Sequence, residues 1–125
     1  MTSATGLTLT TVNLNAPVPG DLARFYCRLL GWEILREEPD FVLLSNPDGG
    51  IRLSFQTEDI YVRPVWPAKV GEQQMMIHLD IRVDDLATAG DHAIRCGATL
   101  AEYQPQDDVR VYLDPAGHPF CLWLG

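Results

Sequence analysis

The sequence predicts an α+β fold in which 125 residues form one domain of two βαβββ modules. Three observations predict it. The order strand, helix, three strands occurs twice; a glycine closes each helix, at Gly31 and Gly97; and the turn cluster Asn46-Pro47-Asp48-Gly49 returns as Asp114-Pro115-Ala116-Gly117. A half of this size has one helix to cover one sheet, so the halves are expected to complete each other.

The first strand is read over residues 7–15, a Thr-, Val- and Leu-rich run that Pro17, Pro19 and Gly20 end as a turn. Asp21 is the expected cap of a helix over 20–30, whose Leu22, Phe25, Leu29 and Leu30 recur at three- and four-residue spacing before Gly31. Trp32–Leu35, Phe41–Leu44 and Ile51–Gln56 follow as strands, parted by Glu37-Glu38-Pro39-Asp40 and by the turn at residues 46–50. Module one thus runs over about residues 7–56, and residues 57–74, with Pro64, Trp66, Pro67 and Gly71 but no periodicity, are a linker. Module two, residues 75–125, reads as strand Met75–Val83, a cap at Asp84 or Asp85, and a helix to Cys96. Strands Thr99–Tyr103, Val109–Leu113 and Phe120–Leu124 complete it.

Strand residues alternate between faces, and this fixes how the modules align. Ile77, Leu79, Ile81 and Val83 form an apolar side expected to pack on the helices, which leaves His78, Asp80 and Arg82 on the other. An offset of 67 residues matches Thr11 and Asn13 to His78 and Asp80, and Ser54 and Gln56 to Cys121 and Trp123. An ungapped match through Gly49 and Gly117 gives 68, so one residue is absorbed at that turn.

Composition excludes several classes. A hydrophobic content of 46% suits a packed core, and a net charge of −8 without a Lys/Arg cluster argues against nucleic acid and anionic lipid as partners. No apolar run approaches the length of a membrane span, and residues 1–6 have no signal-peptide pattern. Cys27, Cys96 and Cys121, an odd number without CxxC spacing, suit free thiols in a reducing, cytoplasmic setting. Gly49, Gly50 and Gly117 precede strands, not helices, so no phosphate-binding loop is expected.

The segment Leu22 to Trp32 is similar to the "FY…LGW" helix end of vicinal oxygen chelate (glyoxalase/bleomycin-resistance) proteins. Asp114 to Trp123 resembles their final "DPxG" turn and strand, and His78-Leu79-Asp80-Ile81 with Asp84-Asp85-Leu86 resembles the second-module opening of the glyoxalase-like subgroup. The resemblance implies an open, U-shaped half-barrel of mixed sheet with helices outside, a cavity, and a homodimer. It also implies a divalent metal in many members, held by the inward side of the first and last strands of each module. Carried onto this chain, those positions are Thr11, Ser54, His78 and Cys121. Only His78 is a common ligand of the family, and hydroxyls are poor substitutes for imidazole or carboxylate. The expectation is therefore a metal-free cavity with no cofactor; any metal would use His78 with Asp80 or Cys121.

The expected partner is a small molecule, and an aromatic one could stack its flat surface on Trp66 or Trp123. Thr11, Asn13, Arg52, Ser54, Gln56, Asp80 and Cys121 are the polar candidates around it. Tyr61, Tyr103 and Tyr112 are further stacking surfaces, and Trp32 is core. His78 reads either as a general base oriented by Asp80 or as a structural hydrogen-bonding group. Cys121 reads either as a nucleophile activated by His78 or as a small buried side chain. Cys27 and Cys96 are packing residues, and His92 and His118 are expected to be exposed. Two functions follow: a metal-free binding protein of the bleomycin-resistance type, or a metal-dependent or His-based lyase, isomerase or dioxygenase.

Overall fold

A computed structural model describes residues 5–125. In the first unit, which ends at Asp59, β1 (Thr11–Ala16) leads into α1 (Pro19–Leu30), then β2 (Glu33–Glu38), β3 (Phe41–Ser45) and β4 (Arg52–Thr57). The second unit, Ile60–Gly125, contains β5 (Leu79–Val83), α2 (Leu86–Cys96), β6 (Thr99–Leu100), β7 (Val109–Leu113) and β8 (Pro119–Leu124). Each unit is an open, mixed sheet of four strands, ordered β1-β4-β3-β2 and β5-β8-β7-β6, so the α+β architecture of paired βαβββ modules is as the sequence predicts. No helix among the described residues is long and apolar enough to cross a membrane.

The repeat extends to register. β1 and β4 run parallel with Asn13 opposite Ser54, and β5 and β8 run parallel with Asp80 opposite Cys121, which is the 67-residue offset expected from alternation. Strands β3 and β7 stand 68 residues apart while β4 and β8 stand 67 apart. The missing residue lies in the shorter turn before β8, where the buried Asp114 carboxylate accepts hydrogen bonds from the backbone of Ala116 and His118, both at 2.9 Å.

Each sheet buries one face under its own helix. Leu22, Phe25 and Tyr26 of α1 lie with Val42, Leu44, Leu53 and Phe55 in the first core, where the Tyr26 and Phe55 rings stack at 5.6 Å. The second core repeats this with Ala93, Cys96, Tyr112, Phe120 and Leu122, and Tyr112 stacks on Phe120 at 5.9 Å. Tyr112 is thus a core residue opposite Phe120 on the helix-covered face, while Val111, also buried, lies opposite Cys121 on the other face. Gly90 faces Tyr112: a Cβ there would collide with the hydroxyl, so the helix takes its glycine where the ring needs room.

Several boundaries differ from the sequence reading, each for a local reason. β1 starts at Thr11, not Leu7, since its partner β4 starts at Arg52, whose N–H bonds Thr10 O at 2.9 Å. β5 starts at Leu79, not Met75, because Met76 has a φ of 61° and the Ile77 N–H closes a γ-turn on Met75 O at 2.6 Å. Val18, not Asp21, is the N-cap of α1. Pro19 opens that helix with a fixed φ and no orphan N–H, and Asp21 lies in the first turn, where its carboxylate meets the positive end of the dipole. In α2 the cap is Asp85, whose carboxylate accepts the Thr88 N–H at 2.8 Å and is held below its ordinary pKa by the Thr88 hydroxyl and, after it, by this backbone bond.

β6 ends at Leu100 and does not reach Tyr103. Gln104 takes over the ladder: its Nε2 donates to Ala101 O and Val111 O at 2.8 and 2.9 Å, and its Oε1 accepts from Val111 N at 2.8 Å. Residues 60–74 lie in the second unit and are tied to it through side chains. The Tyr61 hydroxyl donates to Ala116 O at 2.8 Å, Arg63 Nη1 donates to Pro115 O at 3.0 Å, and Trp66 Nε1 donates to Tyr103 O at 3.2 Å.

Candidate functional site

The faces turned away from the helices carry the candidate polar residues, and in each unit they converge on the parallel strand pair. Alternation puts Thr11 and Asn13 on that face of β1, and Arg52, Ser54 and Gln56 on the same face of β4. Asn13 Nδ2 donates to Ser54 Oγ at 2.7 Å, and Ser54 is buried while Asn13 is exposed. Thr11 Oγ1 lies 3.2 Å from Thr10 Oγ1. Arg52 is half-buried opposite Thr11, and Gln56 is exposed between Asn15 and Phe41. This centre is neutral apart from Arg52, and its closest pair is an amide with a hydroxyl.

The second unit fills the equivalent positions differently. His78 stands one residue before β5 and Asp80 two residues later on the same face, and His78 Nε2 lies 3.1 Å from Asp80 Oδ1. Cys121 enters from the neighbouring strand, directly beside Asp80. The His78 nitrogen, an Asp80 oxygen and the Cys121 sulfur all lie within 4.8 Å of one another. The cluster is open to solvent, with His78 and Asp80 side chains 35% and 59% exposed, so an incoming molecule can reach it.

Burial pushes the Cys121 thiol up to about 11, and the Asp80 charge and its hydrogen bond from the thiol act in the same direction. In this form Cys121 is a donor to a carboxylate and not a ready nucleophile, because the thiolate is the attacking species. The Asp80 carboxylate lies within hydrogen-bond distance of His78 Nε2 and so can fix the orientation of the imidazole.

Trp123, half-buried, follows Cys121 on the same face of β8. Trp66 lies on the segment before β5, where its ring meets Tyr103 at 5.8 Å with a 49° tilt and its Nε1 donates to Tyr103 O. His92 and His118 are half-buried, not exposed. His92 packs 3.7 Å from the Cys96 sulfur, one helical turn on, and His118 Nε2 lies 3.3 Å from the Tyr61 hydroxyl. The Tyr61–His118 contact was not legible in the sequence, since it joins an aperiodic segment to a turn 57 residues away.

The donors can be tested against the metal implied by the resemblance. Thr11 and Ser54 do not fit: both are neutral hydroxyls, and Ser54 is already engaged by Asn13. His78, Asp80 and Cys121 do fit, as nitrogen, oxygen and sulfur donors of the kinds that bind zinc-type ions, in the number that leaves a coordination position open.

A family model for the glyoxalase-like domain matches residues 11–123. The fold is shared with a glyoxalase/bleomycin resistance protein/dioxygenase family enzyme from Burkholderia phytofirmans PsJN, at a TM-score of 0.69 and 20% identity, over 93% of this chain and 97% of that one. A glyoxalase family protein from Enterococcus faecalis gives a TM-score of 0.67 and 24% identity over 93% and 96% of the two chains. A lactoylglutathione lyase from Agrobacterium tumefaciens gives 0.63 and 16% over 94% and 93%. No curated protein matches the sequence.

Proposed function

Because the chain belongs to the glyoxalase-like domain family of the vicinal oxygen chelate superfamily, we propose that it is a small-molecule-binding protein of the glyoxalase/bleomycin-resistance kind. Its ligand-contacting centre in the second unit is His78, Asp80 and Cys121, with Trp123 beside them. One observation carries this reading: three chemically unlike polar side chains converge on the helix-free face of the β5–β8 pair, within 4.8 Å. A pocket needs a few convergent polar groups beside apolar or aromatic surface, and this face supplies both. Binding an organic ligand here does not require a metal, since His78 and Asp80 offer a donor and an acceptor and Trp123 a flat surface. The reading carries with it a cytoplasmic homodimer; light scattering tests the dimer, and Cys27, Cys96 and Cys121, present as thiols, support a reducing setting.

The experiment is ligand-dependent tryptophan fluorescence against a panel of small planar and aromatic molecules, repeated with His78→Ala. Saturable changes that weaken in the variant support the proposal; a silent panel contradicts it.

A second reading is favoured by the 3.1 Å His78–Asp80 pair: a lyase, isomerase or dioxygenase in which Asp80 holds the ring at Nε2 while His78 moves a proton at Nδ1. A divalent ion held by His78, Asp80 and Cys121 would supply Lewis-acid chemistry there. Turnover on any panel member that is lost in His78→Ala and kept in a Trp66 variant would select this reading.

A further inference from the structure

We propose that the second unit carries a further small-molecule site, on the helix-covered side of its sheet, that takes a zwitterionic α-amino acid with an apolar side chain. The proposal goes beyond the reading above and does not depend on it. The site lies between α2 and the β6–β7 edge and shares no residue with the centre at His78, Asp80 and Cys121.

Helix period builds the groove. Leu86, Gly90 and Ile94 recur at four-residue spacing and so form one stripe of α2, which borders the groove with Leu100 of β6 and with Arg110 and Tyr112 of β7. Gly90 leaves the middle of that stripe without a side chain, and β6 is only two residues long, so the helix does not cover this edge. The result is a cavity of about 420 Å³, within the roughly 300–1,000 Å³ of small-molecule sites. Its apolar walls are open to a ligand: Ile94 and Leu100 are 48% and 50% exposed.

Three polar groups converge there without being satisfied by the chain. The Tyr112 side chain is only 6% exposed, yet among the described residues nothing hydrogen-bonds its hydroxyl, which ends beside Gly90. Fully buried side-chain oxygens among the described residues all have partners, so this hydroxyl is one that the groove opens to a ligand. Arg110 Nη1 donates to the carbonyls of Gln106, Asp107 and Val109 at 3.3, 2.9 and 2.9 Å, which orient the guanidinium and leave its charge unneutralised. Asp91 is exposed at the groove and has no cation within ion-pair distance among the described residues. Burial pushes the Tyr112 hydroxyl above its ordinary pKa, with Arg110 acting to lower it and Asp91 to raise it, so it is a protonated donor on which both charges act.

One unpaired charge of each sign beside an apolar wall complements a molecule with both charges at one end and an alkyl group at the other. A simple amine would meet Arg110 as a like charge, and a simple carboxylate would meet Asp91 as one, so the pair selects the zwitterion. The ammonium group pairs with Asp91, the carboxylate with Arg110 and the Tyr112 hydroxyl, and the side chain lies against Ile94 and Leu100.

The test is titration of L-leucine into the isotope-labelled full chain, followed by amide chemical shifts. Two analogues are titrated beside it: 4-methylpentanoate, which lacks the ammonium group, and 3-methylbutylamine, which lacks the carboxylate. Saturable changes are expected at residues 90–94, 100 and 110–112, with each analogue weaker than L-leucine by roughly 2–5-fold, the worth of one exposed ion pair. Asp91→Asn should erase the preference for L-leucine over 4-methylpentanoate and keep that over 3-methylbutylamine. Tyr112→Phe should weaken both carboxylates by roughly 2–10-fold and leave the amine unchanged. Circular dichroism identifies a misfolded Tyr112 variant, and the exposed Asp91→Asn then decides. No saturable change at the groove with L-leucine overturns the proposal, as do changes at residues 78–82 and 119–123 in its place, equal affinity for the three molecules, or a preference unaltered by Asp91→Asn. L-Leucine has no flat ring, so a silent fluorescence panel leaves these outcomes standing and the two proposals fail separately.

Discussion

Asp80 and Cys121 stand side by side on the parallel strands β5 and β8, at the register that places Asn13 beside Ser54 on β1 and β4. The two units thus present the same backbone frame with different chemistry.

The Gly90–Tyr112 contact is predicted to reverse an ordinary preference. Alanine is favoured over glycine inside a helix by about 1 kcal/mol, yet Gly90→Ala drives a Cβ into the Tyr112 hydroxyl and should cost about 1–3 kcal/mol. Tyr112→Phe removes the obstructing oxygen, so the double variant should recover most of the loss. Urea denaturation of the four proteins measures this, and additive losses would contradict it.

Gln104 satisfies three backbone groups where β6 stops. Gln104→Leu leaves them without that partner and should destabilise by about 1–3 kcal/mol. Exchange of the Val111 amide with deuterium should accelerate in the variant, because that N–H loses its acceptor. Unchanged protection would show that the ladder closes by another route.

Tyr61 gives the chain an alkaline limit. Burial, aided by Asp114, pushes its hydroxyl up to about 12 from an ordinary 10. The folded state therefore holds this proton more tightly than the unfolded state, so the contribution is complete below pH 10 and is lost as pH rises toward 12. Tyr61→Phe should lower stability at pH 8 by about 1 kcal/mol through the lost bond to Ala116 O, and should flatten the fall between pH 10 and 12. Melting temperature against pH for both proteins provides the check; parallel curves would remove Tyr61 as the cause.

The repeat was legible because periodicity, capping glycines and turn residues are local signals, and alternation carried it to register. Asn13 with Ser54 and Asp80 with Cys121 pair at the expected 67-residue offset. Strand starts were not legible. Hydrophobic runs at Leu7 and Met75 continue past the points where β4 offers no partner and where Met76 turns the chain, and neither cause is a property of the run itself. For the site, sequence placed His78 and Asp80 on one face. The resemblance added Cys121 beside His78, but that all three donors lie within 4.8 Å depends on tertiary spacing, as does the tie between Tyr61 and His118.

The proposed small-molecule centre of the second unit lies on the β5–β8 face at His78, Asp80 and Cys121. The most direct measurement is amide chemical-shift perturbation on titrating the tightest binder from the fluorescence panel into isotope-labelled protein. The largest changes are expected at residues 78–82 and 119–123. Changes centred instead on the groove between α2 and the β6–β7 edge, at Gly90, Ile94, Leu100 and Arg110, with the cluster unperturbed, would contradict it.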